Sequence, residues 1–192
     1  MVIRIGNNSL QLIVGDITKQ TTDAIVNAAN GSLLGGGGVD GAIHRASGPE
    51  LLEECKQIRK EQLKGEYLPT GEAVITKGYR LPAKYVIHTV GPIWTGEGID
   101  EKKKLLANCY INSLNLAKSY NLNSISFPSI STGVYRFPID LASEIAIESI
   151  VNFLQTNIFG DVVLTLFTQN DYNIYFQAAQ KIIKTNSNTL DS

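Results

Sequence analysis

The sequence predicts an α/β domain, a mixed or largely parallel sheet with helices on both faces. Three observations predict it. Short apolar runs alternate along the chain with longer stretches whose apolar residues recur at helical spacing. The last apolar run, residues 162–167, alternates only weakly, as a strand covered on both faces does. Loops of glycine and other small residues follow two of the runs, where an open α/β sheet forms its ligand crevice.

Residues 10–14 and 24–26 are apolar runs bounded by turn residues and read as strands, as do 73–75, 85–88, 124–127 and 162–167. A short helix is expected over 41–46. Ser47 and Glu50 then have capping-box spacing, with Pro49 in the first turn, and Leu51, Leu52, Cys55 and Ile58 form an apolar stripe. Leu105, Leu106, Cys109, Tyr110 and Leu114 form the next stripe. Pro138 opens a helix carrying Leu141, Ile145, Val151 and Leu154. Asp171 is the expected cap of a last helix that turns Tyr172, Tyr175, Phe176, Ala179 and Ile183 inward. Residues 60–70 are a polar connection. No repeat or linker divides the chain, so residues 1–184 are expected to form one domain, with 185–192 a loose polar tail.

Composition narrows the function. At 192 residues and 43% apolar content the chain can bury a substantial core. A net charge of -1 gives no broad basic surface, so nucleic acid is not indicated as a partner. No apolar run reaches membrane-spanning length and no signal-peptide pattern opens the chain. Cys55 and Cys109 stand far apart, against both a disulfide framework and a zinc knuckle. A cytoplasmic protein is the expectation.

The stretch NAANGSLLGGGGVDGAIHRASG, residues 27–48, carries four consecutive glycines between a strand and a helix. Bare backbone lets amides approach a ligand closely, and at Gly37 a side chain would stand between backbone and ligand. The following helix adds free N–H groups and the positive end of its dipole. Together they suit a phosphate or diphosphate better than they suit a plain loop. Gly36, Gly38 and Gly41 also satisfy G-x-G-x-x-G, the sign of a nicotinamide-dependent oxidoreductase, with Glu61 near the place of the ribose acid. That fingerprint requires the strand to run directly into the glycines; here residues 27–34 intervene. A second loop, PSISTGVYRFP at 128–138, again follows a strand, and Ser131, Thr132, Gly133 and Tyr135 offer hydroxyls and exposed amides.

With both loops in hand, the sequence resembles the macrodomains, in particular the MacroD-type branch that includes bacterial O-acetyl-ADP-ribose deacetylases. The residues that carry the resemblance are GDIT at 15–18, DAIVNAAN at 23–30, GGGGVDGAIHRASG at 35–48, PTGEAVIT at 69–76, LPAKYVIHTVGPIW at 81–94 and FPSISTGVY at 127–135. They span nearly the whole chain in order. The resemblance implies a three-layer α/β/α macrodomain fold with a central mixed sheet, binding ADP-ribose, O-acetyl-ADP-ribose or ADP-ribosylated proteins.

The same resemblance implies the site. Asp16 would accept from the adenine amino group and the amide of Ile17 would meet a ring nitrogen, with Phe167 against the ring. Gly37, Gly38, Val39 and Asp40 would line the diphosphate and distal ribose. Ser131, Thr132, Gly133, Val134 and Tyr135 would close over the diphosphate from the other side. Asn30 would hold the distal ribose, and Asn27 would brace the loop. Each residue has a plain structural reading beside this one: Asp16 as a turn residue, Phe167 as core, Asp40 as a helix cap. His44, one turn after Asp40, reads as support, and His88 as a satisfied core histidine. One departure stands out: Arg136 follows Tyr135 where the family commonly has glycine. The zinc-bearing branch has cysteine and histidine ligands in its first loop region; here the glycine run has no cysteine, so no metal and no cofactor are expected.

The implied reaction is hydrolysis at the distal ribose. It would remove the acetyl ester of O-acetyl-ADP-ribose, mono-ADP-ribose from acidic protein side chains, or both. Asp40 and Asn30 are the candidate catalytic pair, Asp40 as base or water-orienting group. The alternative is a reader that binds ADP-ribose without turnover; a reader has no need of the acid.

Overall fold

The computed structural model describes residues 1–190. Its sheet has seven strands: β1 (Val2–Ile5), β2 (Asn8–Val14), β3 (Ala24–Ala28), β4 (Ala73–Lys77), β5 (Tyr85–Thr89), β6 (Ser124–Phe127) and β7 (Asp161–Leu166). Their order is β1-β2-β7-β6-β3-β5-β4. The five strands from β2 to β5 are mutually parallel, and the two edge strands, β1 and β4, pair antiparallel with β2 and β5. The sheet is therefore mixed, with its parallel strands inside.

The helices are α1 (Gly38–Ser47), α2 (Pro49–Glu61), α3 (Ile99–Ser119), α4 (Ile139–Thr156) and α5 (Gln169–Leu190). They divide between the faces by the period-2 alternation of the strands. Ala24, Val26 and Ile87 point into one apolar cluster with Leu106 and Tyr110 of α3, Ile147 and Ile150 of α4, and Tyr175 of α5. Their neighbours Ile25 and Val86 point the other way, into a cluster with Ile43 of α1 and Leu51, Cys55 and Ile58 of α2. Fully burying side chains of this size contributes ~1.5–3 kcal/mol each. No helix among the described residues is long and apolar enough to cross a membrane.

Several local expectations are corrected. Strand β1 has no counterpart among the expected strands: it is a four-residue edge strand in which Arg4 interrupts the apolar residues, and it alternates between exposed and half-buried. The Ser47–Glu50 capping box does not form. Ser47 ends α1 and its hydroxyl bonds the carbonyls of His44 and Gly48, while Gly48, at φ 87, makes the corner into α2. Asp171 does not cap α5; Thr168 does, its Oγ1 accepting from Asp171 N at 3.1 Å. Phe167 lies past the end of β7 and is 79% exposed, so it is not core. Helix α5 continues through Thr185 to Leu190, where polar composition alone predicted a loose tail. The tail reading at 191–192 lies outside the described residues.

Candidate active site

Because β2, β7, β6 and β3 are parallel neighbours, the loops at their C-terminal ends share one edge of the sheet. These loops and helix α1, which follows the glycine run, carry the candidate residues, apart from Asn27 within β3. Asp16 follows β2, Phe167 follows β7, the small-residue loop follows β6 and the glycine run follows β3. From β2 to β3 is three strand spacings, about 14 Å. The edge therefore suits an extended ligand.

At the β6/β3 end lies a cavity of about 240 Å³, lined by Asn30, Gly36 to Asp40, Ser131 and Gly133 to Tyr135, with Ala28, Ala29, Gly91, Ser129 and Ile130. The first intrahelical bond of α1 runs from Gly41 N to Gly37 O at 3.1 Å. The N–H groups of Gly38, Val39 and Asp40 precede it and have no helical acceptor, and the helix dipole adds its positive end there. Across the cavity Ser131 sits at φ 66 with its Oγ buried and unpartnered. A groove of about 610 Å³ continues from this cavity, sharing Asn30, Gly91 and Tyr135 and opening toward Tyr67 and Ile93.

Asp40 is 5% exposed in the first turn of α1. Its Oδ1 accepts from Asn27 Nδ2 at 2.9 Å and stands 3.3 Å from His44 Nε2. Its Oδ2 is buried and has no partner. A buried, unpaired carboxylate oxygen is costly, and such an atom calls for an explanation in function. Gly36 leaves the space in front of it open, since a Cβ there would stand 3.2 Å from both Asp40 Oδ2 and Asn30 Nδ2. Asn30 spends its amide on Gly35 O at 2.8 Å and accepts from Ser32 Oγ, which fixes the glycine loop.

Other candidates fall differently from the sequence reading. Asn27 braces Asp40 rather than the loop, and it is fully buried behind the cavity. Thr132 does not line the cavity; its hydroxyl meets Ser129 Oγ at 2.6 Å, and Ser129 Oγ in turn meets Tyr175 OH at 2.8 Å, tying the loop to α5. Asp16, Ile17 and Phe167 lie outside this cavity, at the β2/β7 end. Asp16 caps a short 3-10 turn, Ile17–Lys19. Its Oδ1 accepts from Thr18 Oγ1 at 2.7 Å and Thr18 N at 2.9 Å, and these bonds hold the carboxyl below its usual range. Asp16 is thus an ionised acceptor at neutral pH. Gly37 has extended backbone at φ -92, and a Cβ there would meet nothing, so this glycine is not required by the fold. Gly38, at φ 55, occupies the left-handed region that glycine favours. Arg136 holds that conformation too, at φ 57, which accounts for the family's glycine there.

One contributor, Gly91, escaped the sequence reading, and a second, His88, is the satisfied core histidine expected but stands nearer the site than that reading placed it. Gly91 underlies Ser131, where any Cβ would overlap Ser131 Oγ and stand 2.8 Å from the Ile130 side chain. His88 lies directly across from Asn27 in the β3/β5 register, fully buried. A signal for the second existed: Ile25 and Asn27, Val86 and His88, Val74 and Thr76 each place a polar residue two positions after an apolar one on a buried strand face.

A helix N-terminus and a bare glycine loop facing a second small-residue loop across a strand-end crevice define an anion-binding α/β domain that can take a nucleotide diphosphate. The Macro domain family model matches residues 26–146, and the chain belongs to that family. It is 51% identical over 175 residues to a macro domain-containing protein of Caldanaerobacter subterraneus, covering 91% of this chain and 98% of the relative. It is 59% identical over 148 residues to a Citrobacter rodentium protein named O-acetyl-ADP-ribose deacetylase, covering 77% of this chain and 81% of the relative. The Oceanobacillus iheyensis macrodomain solved with ADP superposes with a TM-score of 0.94 at 56% identity, covering 96% of this chain and 97% of that one.

Proposed function

We propose that this protein is a hydrolase of ADP-ribose derivatives. It removes the acetyl ester of O-acetyl-ADP-ribose, and ADP-ribose linked to acidic protein side chains. The observation that carries the reading is Asp40 Oδ2, buried and unpartnered across Gly36 from Asn30. The name of the Citrobacter relative and the ADP held by the Oceanobacillus macrodomain support it.

In this reading adenine lies by Asp16, the amide of Ile17 and Phe167. The diphosphate takes the N–H groups of Gly38, Val39 and Asp40 and is covered by the loop from Ser131 to Tyr135. The distal ribose lies toward Asn30 and Tyr135. A water held by Asp40 Oδ2 attacks the ester carbonyl and gives its proton to Asp40 or to a diphosphate oxygen. The carbonyl–oxygen bond to ribose then breaks, and that proton passes to the departing ribose oxygen, leaving the carboxylic acid and the free ribose hydroxyl. Holding water and ester at fixed geometry supplies much of the acceleration. The groove beyond Tyr135 is the room that a leaving group larger than acetate needs.

The test is incubation with O-acetyl-ADP-ribose and with a protein carrying ADP-ribose on glutamate. Release of acetate or of ADP-ribose is expected. Tight ADP-ribose binding with neither release would make the protein a reader.

A further inference from the structure

Behind Asp40 lies a buried polar chain that the proposed chemistry does not use. Asn27 Nδ2 stands 2.9 Å from Asp40 Oδ1 and 3.1 Å from His88 Nδ1. His88 Nε2 stands 2.9 Å from Thr76 Oγ1, which stands 3.5 Å from Val86 O. The directions of these bonds can be assigned. A carboxylate oxygen only accepts, so Asn27 faces Asp40 with its NH₂ group. The same nitrogen carries the second hydrogen toward His88 Nδ1, which must then be bare. The ring hydrogen therefore sits on Nε2 and points to Thr76 Oγ1, whose own hydrogen faces the Val86 carbonyl.

We infer that His88 is a positioning residue for Asp40. As a neutral imidazole accepting at Nδ1, it takes one amide hydrogen of Asn27 and commits the other to Asp40 Oδ1, which leaves Oδ2 turned to the cavity. An Nδ1–H imidazole would meet the Asn27 amide hydrogen to hydrogen. Turning the amide over would then set its carbonyl against the carboxylate. The ring is fully buried and does not line the cavity; its hydrogen bonds reach Asp40 through Asn27, and its ring centroid lies 6.5 Å from that of His44. Burial holds its pKa down to about 3, and His44 pushes the same way while Asp40 opposes, so the neutral form persists at working pH. The effect on turnover rests on the hydrolytic reading above; the tautomer does not.

Two substitutions separate packing from hydrogen bonding. His88→Asn sets a carbonyl near the place of Nδ1 and keeps an acceptor, but leaves volume unfilled. His88→Phe fills the ring's place and offers no acceptor. His88→Asn is expected to keep kcat within about threefold of the parent even if it melts lower. His88→Phe is expected to lose about tenfold or more in kcat, with KM and ADP-ribose Kd within about threefold. A folded His88→Phe with kcat equal to or above that of His88→Asn overturns the inference. Nitrogen-15 NMR of the histidine side chains reads the geometry without any turnover. The hydrogen of His88 is expected on Nε2 at neutral pH, and an Nδ1–H tautomer overturns the inference whether or not either variant folds. Asp40→Asn in the same assay separates the two failures. If it keeps full kcat the assignment of the water to Asp40 falls, if the wild type shows no turnover the hydrolytic reading falls, and in either case the NMR result alone decides His88.

Discussion

Asn27 donates to Asp40 Oδ1 at 2.9 Å while the other carboxylate oxygen, equally buried, receives nothing. One oxygen is held and the other is offered. With His44 also on Oδ1 at 3.3 Å, the carboxylate is fixed from two sides, and its open lone pairs face the gap that Gly36 leaves. A side chain placed only to cap α1 would direct an oxygen to a backbone N–H, and α1 has no side-chain cap bond at its first turn.

The gap at Gly36 can be filled directly. In Gly36→Ala the new methyl would stand 3.2 Å from both Asp40 Oδ2 and Asn30 Nδ2. We expect a folded protein whose turnover falls at least about tenfold, because the methyl takes the place of the water. Equal turnover would move the reaction away from this gap. Gly41→Ala is the control for folding: its Cβ would meet the Gly36 carbonyl, so it should destabilise by about 1–3 kcal/mol.

Gly91→Ala tests the second loop. Its Cβ cannot coexist with Ser131 Oγ where it stands and crowds the Ile130 side chain, so the Ser131 hydroxyl must leave its place at the cavity. ADP-ribose affinity should fall while the melting temperature changes less than for Gly41→Ala. Unaltered affinity by calorimetry would show that the Ser131 loop does not touch the nucleotide.

Phe167→Ala should leave stability within about 0.5 kcal/mol, since the ring is 79% exposed. If the ring stacks on adenine, ADP-ribose and AMP should both lose about 1–2 kcal/mol of affinity, while ribose 5-phosphate should lose none. Equal losses for all three would mean that the ring acts on the loop instead.

The frame was legible in the sequence because burial was. Strands β3, β5 and β7 and the stripes of α2 and α3 carry apolar residues at their proper periods. What was not legible depended on polar residues with more than one possible partner. Ser47 matched a capping box by spacing, yet Gly48 turns the chain between two helices and takes the box apart. Asn27 was expected to brace the loop and braces Asp40 instead, because β3 runs it into the interior; Asn30, already in the loop, is the residue whose amide fixes the glycine run. Gly91, far from both loops in sequence, reaches the site only through strand β5.

Stability should follow pH through His88. Its folded pKa of about 3 lies below the unfolded value of about 6.5. Below pH 6.5 the unfolded chain takes a proton that the folded chain refuses, so this contribution is intact above about 6.5 and is lost as pH falls toward about 3. Asp16 acts in the same direction, but only below its ordinary 3.8. Between pH 7 and pH 5, wild type should therefore lose more stability than His88→Asn in urea melts. Parallel losses would show that the ring is not buried neutral.

The most direct measurement compares two losses in Asp40→Ala, on one preparation with a melting curve confirming the fold. The diphosphate is assigned to the N–H groups of Gly38, Val39 and Asp40, which the substitution keeps, and the water is assigned to the carboxylate, which it removes. Turnover of O-acetyl-ADP-ribose should fall by ~10²- to 10⁴-fold while ADP-ribose affinity stays within about tenfold. Turnover at the wild-type rate, or an affinity that falls as far as turnover does, would contradict the account.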